Sequence, residues 1–261
     1  MSLWYNEADS GIFLLSTIIT LIAGIIGLCI GRRAESRMGE REGYVIVATV
    51  WVVFSAFGLL PYYLSGQVPT FTDAWFESMS GFTTTGATII PDLNVITHGL
   101  LFWRSLTQWI GGMGIIVLSI AILPIFGLNG MQLYAAEVSG LTYEKLSPRI
   151  ADTAKMMWST YLILTATEVL GLWLCGMPIF DAVCHSFSTI ATGGFSTKND
   201  SLAFYDSAAI HYMVTFFMFI SGINFVILIY LVRGKVRNFF RDEELRWYTV
   251  AVLLFAVLLT I

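Results

Sequence analysis

Two polar stretches of this chain, 108 residues apart, share an unusual pattern of hydroxyl residues and glycine. Residues 73–88 (DAWFESMSGFTTTGAT) align without a gap on residues 181–196 (DAVCHSFSTIATGGFS), and six positions are identical. Each stretch lies between two long apolar segments and is too short and too polar to cross a bilayer. Backbone of this kind is tolerated at membrane depth only where protein buries it or water bathes it. The duplication therefore favours an ion pathway lined by backbone over a catalytic site.

The apolar segments indicate a polytopic membrane protein. Of the 261 residues, 56% are hydrophobic and only 12% are charged, whereas a soluble domain carries about 25% charged residues. A helix needs roughly 17–25 apolar residues to span the hydrocarbon core. Spanning helices are predicted near residues 12–30, 44–65, 99–126, 153–176 and 208–232, and a sixth begins near residue 247. The predicted fold class is therefore all-α.

Basic residues are concentrated in alternate connections between these helices. Of 14 lysines and arginines, four lie after the first helix, three after the third and five after the fifth. These are Arg32, Arg33, Arg37 and Arg41; Lys145, Arg149 and Lys155; and Arg233, Lys235, Arg237, Arg241 and Arg246. The positive-inside rule makes these connections cytoplasmic. Both repeated loops are then expected to enter the membrane from its outer face.

The 108-residue offset extends beyond the loops, because Gly114-Ile115 aligns on Gly222-Ile223. The chain is therefore predicted to contain two parallel repeats, each a helix, a re-entrant loop and a second helix. Two repeats cannot close a pore around an axis, so we expect further repeats, from a second chain or from a longer protein. The predicted division is 1–42, a leader, an extra helix and a basic loop; 43–127, the first repeat; 128–151, a cytoplasmic connector; 152–235, the second repeat; and 236–261, a basic connector and the start of a third unit.

Each repeated stretch is predicted to be a short helix followed by a turn. The first helix is expected over 69–80, capped by Thr72 or Asp73, and Pro178 and Asp181 repeat that start. Glycine allows successive carbonyls to face one side, and such carbonyls can replace the hydration shell of a monovalent cation. The candidate ion-binding residues are Thr83, Thr84, Thr85, Gly86, Ala191, Thr192, Gly193 and Gly194. The alternative is a structural hairpin that packs helices and conducts nothing.

Three further features admit two interpretations each. Arg104 is an expensive intramembrane charge that needs a partner; it either pairs with Glu77 as a brace behind the filter or extends to the outer interface. Gly111-Gly112 favours close helix packing over hinge motion. His185 favours a hydrogen-bonded outer residue over a proton sensor. An intramembrane hydrolase would need a nucleophile and a base on facing helices; the histidines lie at the outer edge, so no enzyme is predicted.

Four motifs together resemble a known family. Residues 77–88, 108–117, 130–134 and 185–197 resemble the TrkH branch of the TrkH/KtrB/HKT superfamily of potassium transporters. The resemblance implies four M1–P–M2 repeats (outer helix, pore helix with filter loop, inner helix) around one pore, preceded by two extra helices. This chain would supply the second extra helix, two complete repeats with two of four filter loops, and the start of the third repeat. Gly86 and Gly194 fall at the filter positions where glycine implies potassium preference.

The resemblance also implies the biological setting. The expected function is potassium uptake across the bacterial cytoplasmic (inner) membrane, with potassium as transported substrate and no cofactor. The expected partners are a second copy in a homodimer and a cytoplasmic TrkA-like subunit of nucleotide-binding RCK domains, and no nucleic acid. The basic connections lie on the side where that subunit would bind, although inside-positive anchoring explains them equally well. The alternative function is a non-conducting membrane scaffold, or a fragment without independent transport activity.

Overall fold

The fold is known from a computed structural model, which describes residues 1–32 apart from 3, 6 and 8, then 40–114, 150–225, 227–228, 234 and 236–260. Every regular element within those ranges is helical, so the all-α prediction is confirmed. The helices are α1 (Ser10–Gly31), α2 (Glu40–Gly58), α3 (Leu60–Leu64), α4 (Phe71–Phe82), α5 (His98–Gly112), α6 (Ile150–Leu174), α7 (Ile179–Ile190), α8 (Ala208–Ser221), α9 (Val236–Arg241) and α10 (Glu243–Thr260), with 3₁₀ turns at Leu93–Val95 and Ser201–Phe204.

Among the described helices, α1 alone is long and apolar enough, by length and composition, to cross a membrane. The predicted spans 99–126 and 208–232 begin as expected with α5 and α8, but their later parts lie largely outside the described residues. The predicted connector 128–151 and the motif at 130–134 lie outside them too, apart from residues 150–151. Spans of that length beyond Gly112 and Ser221 stay predictions.

Two predicted boundaries differ in the structure. The span predicted over 44–65 is divided into α2 and α3 at Leu59, with Pro61 in the first turn of α3. Proline has no N–H to continue a helical ladder, and the freed carbonyl of Gly58 accepts a hydrogen bond from the Trp103 indole at 3.0 Å. The connector predicted over 236–246 instead contains α9, and α10 begins at Glu243 rather than near residue 247.

The two short helices reproduce the sequence offset. Both α4 and α7 contain 12 residues, and their ends are 108 positions apart. The cap of α4 is Thr70, whose side chain accepts a hydrogen bond from the Asp73 amide at 3.1 Å, so the predicted Thr72 or Asp73 cap is wrong. The helix begins later than predicted because Thr70 is extended, and Asp73 lies in the first turn, where its charge favours the positive helix end.

Helix α5 lies between the two short helices and packs extensively against both. A Cβ at Gly111 would overlap the backbone of Phe82 at the end of α4, and one at Gly112 would overlap Ala191 just after α7. These glycines bring three backbones together at the point where both short helices end. The close-packing interpretation of Gly111-Gly112 is therefore confirmed.

The segment before α1 caps the N-terminus of α5. The Glu7 carboxylate accepts hydrogen bonds from the His98 amide at 2.9 Å and the Gly99 amide at 3.1 Å. The Tyr5 ring stacks on the His98 ring with centroids 4.0 Å apart. Asp9 accepts a hydrogen bond from the Thr97 hydroxyl at 2.7 Å. A carboxylate at a helix N-terminus satisfies free amides and the helix dipole, so this segment holds α5 at its outer end.

The Glu7 contact should weaken in acid. Partial burial by itself would raise the pKa of Glu7, but hydrogen bonds from the His98 and Gly99 amides and from the His98 ring outweigh it and lower that pKa. Because the folded-state pKa is below the ordinary value, the stabilisation is complete above about pH 4.3 and is lost as pH falls through the lowered pKa. Hydrogen-exchange protection of the His98 and Gly99 amides should fall with it. Glu7→Gln should show weaker protection that does not change over this range; a variant that keeps the wild-type response would contradict the assignment.

Candidate functional site

The loops that follow α4 and α7 have the same backbone conformation. Thr84 and Thr192 have φ of 53° and 55°, and Gly86 and Gly194 have φ of 76° and 84°. Threonine is rarely left-handed, and such residues concentrate at functional sites. The Thr85 amide donates to the Ser80 carbonyl at 3.0 Å, and the Gly193 amide donates to the Ser188 carbonyl at 2.8 Å. The two loops are thus one conformation built twice.

The loops meet each other at their glycines. A Cβ at Gly86 would overlap the carbonyl oxygen of Gly193, so the two predicted filter segments lie in contact although 107 residues separate these positions. Thr83, Thr85, Thr192 and Gly194 are exposed, Thr84 and Gly86 are half-buried, and Ala191 and Gly193 are buried. The structure therefore brings the two groups of candidate residues to one place.

Hydroxyl groups tie the first loop to its own helix. The Thr83 hydroxyl donates to the Met79 carbonyl at 2.7 Å and lies 2.8 Å from the Thr85 hydroxyl. The Ser80 hydroxyl donates to the Ala87 carbonyl at 2.5 Å. These bonds fix the course of the loop on both sides of Gly86. They leave the Thr85 and Gly86 carbonyls outside the hydrogen bonds that hold the loop.

A cavity of about 520 Å³ lies against the loops. Thr83, Thr84 and Thr192 contribute to its wall, together with the backbone of Gly112 and the ring of Trp51 from α2. The helix ends at Phe82 and Ala191 border the same space. Because the C-terminal end of a helix carries partial negative charge, this cavity is a favourable place for a cation.

Arg104 links both loops from α5. Its Nε donates to the Glu77 carboxylate at 2.7 Å, and its terminal nitrogens donate to the Thr88 hydroxyl and the Ser196 carbonyl, each at 3.1 Å. The guanidinium also lies 4.2 Å from the centroid of the Phe195 ring. The side chains of Arg104 and Glu77 are 1% and 0% exposed. Arg104 is therefore a buried brace and does not extend to the outer interface.

Gln108, one turn further along α5, supports the second loop. Its side-chain oxygen accepts a hydrogen bond from the Phe195 amide at 3.2 Å. A Cβ at Gly193 would overlap the same Gln108 amide group. The first repeat's inner helix thus holds the second repeat's loop. No pattern in the sequence links Gln108 to residues more than 80 positions away, so sequence reasoning missed this role.

The return strand of each loop is fastened to its short helix at equivalent positions. In the first loop the Thr88 hydroxyl donates to the Glu77 carboxylate at 3.0 Å. In the second loop the Ser196 hydroxyl lies 3.0 Å from Nε2 of His185. His185 is buried, so it is hydrogen-bonded as predicted but is not an outer residue. The 108-residue offset aligns Glu77 with His185 and Thr88 with Ser196, a signal from which this contact could have been predicted.

The architecture and its paired loops match a known family. A family model described as TrkH, a cation transport protein, matches residues 12–261. The chain belongs to the TrkH family. It is accordingly a membrane protein of a cation transport family and not an enzyme. The predicted resemblance to the TrkH branch is confirmed.

Individual relatives agree with this assignment. The chain is 44% identical to the Trk system potassium uptake protein TrkH of Salmonella typhimurium, over 100% of this chain and 55% of that protein. It is 43% identical to the protein of the same name from Escherichia coli, over 95% of this chain and 52% of the relative. The crystal structure of the potassium transporter TrkH from Vibrio parahaemolyticus superposes with a TM-score of 0.82 at 39% identity, covering 98% of this chain and 53% of that one. The chain thus spans about half the length of the TrkH relatives it matches.

Proposed function

We propose that this chain contributes two carbonyl-lined filter loops to a potassium uptake pathway. The observation that carries the proposal is the contact between Gly86 and Gly193, made by two loops that share left-handed backbone at Thr84 and Thr192 and at Gly86 and Gly194. A pathway lined by carbonyls can take the place of a cation's hydration shell. The proposed ion-binding residues are Thr83, Thr84, Thr85, Gly86, Ala191, Thr192, Gly193 and Gly194.

Three observations support potassium as the ion. The relatives from Salmonella and Escherichia carry potassium uptake in their names. Both α4 and α7 end at the cavity beside the loops, so the negative ends of their dipoles favour a cation there. Glycine occupies position 86 and position 194, the pattern that the family resemblance associates with potassium. Glu77 and Arg104 are proposed as filter support and do not coordinate the ion, because both are fully engaged behind the loop.

We propose the family's wider organisation as well. The segments 43–127 and 152–235 act as two of four repeats in the inner membrane, with both filter loops entering from the outer face. This orientation is supported by the concentration of lysine and arginine in alternate connections. The protein acts as a homodimer with a cytoplasmic TrkA-like RCK subunit. Arg237 and Arg241, exposed on α9, lie in the connection that would face that subunit.

Cation flux into liposomes tests the proposal. The protein encoded by the complete natural reading frame should take up rubidium, a potassium analogue, and excess potassium should compete with that uptake at least about tenfold better than sodium, a difference of about 1.4 kcal/mol. Empty liposomes provide the baseline. A well-folded protein that carries no rubidium would contradict conduction and favour the non-conducting scaffold. Flux without preference for potassium would contradict the filter.

A further inference from the structure

The two loops are fastened by the same arrangement of atoms but by different chemical groups. The Thr88 hydroxyl accepts from the Ile90 amide at 3.2 Å, and the Ser196 hydroxyl accepts from the Lys198 amide at 3.0 Å. Each hydroxyl then donates to the side chain of its short helix, a carboxylate at Glu77 and an imidazole at His185. The carboxylate is paired with Arg104. The imidazole is an acceptor only while one of its nitrogens is unprotonated.

The surroundings of His185 fix its tautomer. Nδ1 lies 2.8 Å from the backbone carbonyl of Asp181. A carbonyl oxygen can only accept, so Nδ1 carries the proton. Nε2 is then the acceptor, and it receives the Ser196 hydroxyl, which has already accepted from the Lys198 amide. The second loop is therefore held by the neutral, Nδ1-protonated form of His185.

We propose that His185 is a positioning residue of the second filter loop, that it takes the place of Glu77 in the first, and that protonation of Nε2 releases the loop. This inference rests on the proposed function of the loops. Protonation turns Nε2 into a donor, and two donors then point at the Ser196 oxygen while its own hydrogen loses its acceptor. The Ser196 hydroxyl must rotate or the loop must shift. Acid would loosen the second loop and leave the first, because Glu77 stays tied to Arg104.

The charged and titratable groups near His185 come from several elements. On its own helix, the Asp181 carboxylate accepts from the Thr197 hydroxyl at 2.6 Å and lies 3.6 Å from the Lys198 ammonium. From α5, Arg104 binds the Ser196 carbonyl. The Tyr205 ring packs edge-on against the imidazole with centroids 5.7 Å apart. The other titratable groups on the packed helices are Cys184 of α7, Glu168 of α6 and His211 of α8. Lys198 and Arg104 disfavour an imidazolium there, and Asp181 favours it.

The Ser196 carbonyl makes the link to ion selection. It is held by Arg104, and Gly194 lies two residues before it. A shift of Ser196 therefore moves the carbonyls of the second loop relative to Gly86. Carbonyl spacing decides which hydration shell a filter can replace. Release of the loop should lower selectivity before it abolishes flux.

Selectivity measured against pH tests the proposal. In the protein from the complete natural reading frame, the preference for potassium over sodium in rubidium flux should fall about fivefold between about pH 8 and about pH 5, the change that loss of one net hydrogen bond corresponds to. A protein that is equally selective across this range would overturn the inference while leaving the proposed function in place. A protein that carries no cation at any pH would contradict both.

Two substitutions separate the two bonds of His185. In His185→Gln the side-chain amide reaches the position of Nε2 and can accept from Ser196 without titrating, so the selectivity of this variant should be independent of pH. In His185→Asn the amide reaches only the position of Nδ1, and selectivity should be low at every pH. Wild-type pH dependence in either variant would overturn the proposal.

Two further variants keep the test independent of any folding defect at position 185. Ser196→Ala removes the hydroxyl that His185 holds and should also abolish the pH dependence. His211→Gln is the matched control, because His211 is exposed and binds the Leu202 carbonyl outside the filter. It should keep the wild-type profile. Loss of the profile in His211→Gln, or its survival in Ser196→Ala, would assign the effect to another group.

Discussion

Arg104→Met should lower the free energy of unfolding by about 3–5 kcal/mol, the usual cost of leaving one partner of a buried ion pair uncompensated. The substitution leaves the Glu77 carboxylate, 0% exposed, without its guanidinium. It also removes the hydrogen bonds to the Thr88 hydroxyl and the Ser196 carbonyl. We expect a lower yield of folded protein, a lower melting temperature in detergent, and a loss of potassium preference in whatever folds.

A double-mutant cycle separates the ion pair from the other contacts of Arg104. In Glu77→Gln combined with Arg104→Met, neither charge remains buried alone. The double variant should be more stable than Arg104→Met, with a coupling energy of about 1–3 kcal/mol between the two positions. Arg104→Lys should fall between wild type and Arg104→Met, because an ammonium cannot reproduce the planar fork that reaches three acceptors.

An exposed arginine supplies the control for this cycle. Arg237 lies on the surface of α9, and Arg237→Met should change stability by no more than about 0.5 kcal/mol. If Arg104→Met were as stable as Arg237→Met, or if the double variant were no more stable than Arg104→Met, the buried pair would not support the loops as described.

Gly86→Ala should reduce potassium-selective uptake on the order of tenfold or more, which corresponds to about 1.4 kcal/mol or more. Two effects combine at this position. A residue with a Cβ at φ of 76° is strained by roughly 1–2 kcal/mol. The new methyl group would also overlap the Gly193 carbonyl oxygen, and relief of that overlap has to move one loop away from the other.

Gly194→Ala is a matched variant for this experiment. Gly194 has nearly the same backbone angle, φ of 84°, but no atom of the described residues lies within 4 Å of its Cβ position. It therefore carries the strain without the overlap. Competition of potassium and sodium with rubidium uptake should show a smaller loss of selectivity for Gly194→Ala than for Gly86→Ala. Equal losses in the two variants would show that contact between the loops is not what sets selectivity.

Much of the fold was predictable because membranes impose simple rules on sequences. The apolar runs predicted α1, α6 and α10 closely, and the repeat predicted two short helices. Boundaries were less predictable where local chemistry decides them. Pro61 divides one predicted span, and the extended backbone of Thr70 moves the start of α4 past the residues chosen as its cap.

The candidate site was predictable in composition but not in its supports. The glycine and threonine pattern identified both loops, and the lone intramembrane Arg104 pointed to Glu77 as its partner. The contacts of Arg104 and Gln108 with the second loop had no sequence signal, because they join residues 87 or more positions apart. The exchange of Glu77 for His185 was visible only as an alignment, and its meaning depends on hydrogen bonds that the alignment does not contain.

The sequence by itself determined that two matched, glycine-bearing hairpins lie between apolar helices. Hydrophobic length and glycine content are local properties, and a one-dimensional pattern records them. The tertiary structure alone decided that Gly86 meets Gly193, that Arg104 binds both hairpins at once, and that an imidazole does for one loop what a carboxylate does for the other. These depend on where α5 packs between α4 and α7, and that packing is set by many distant contacts acting together.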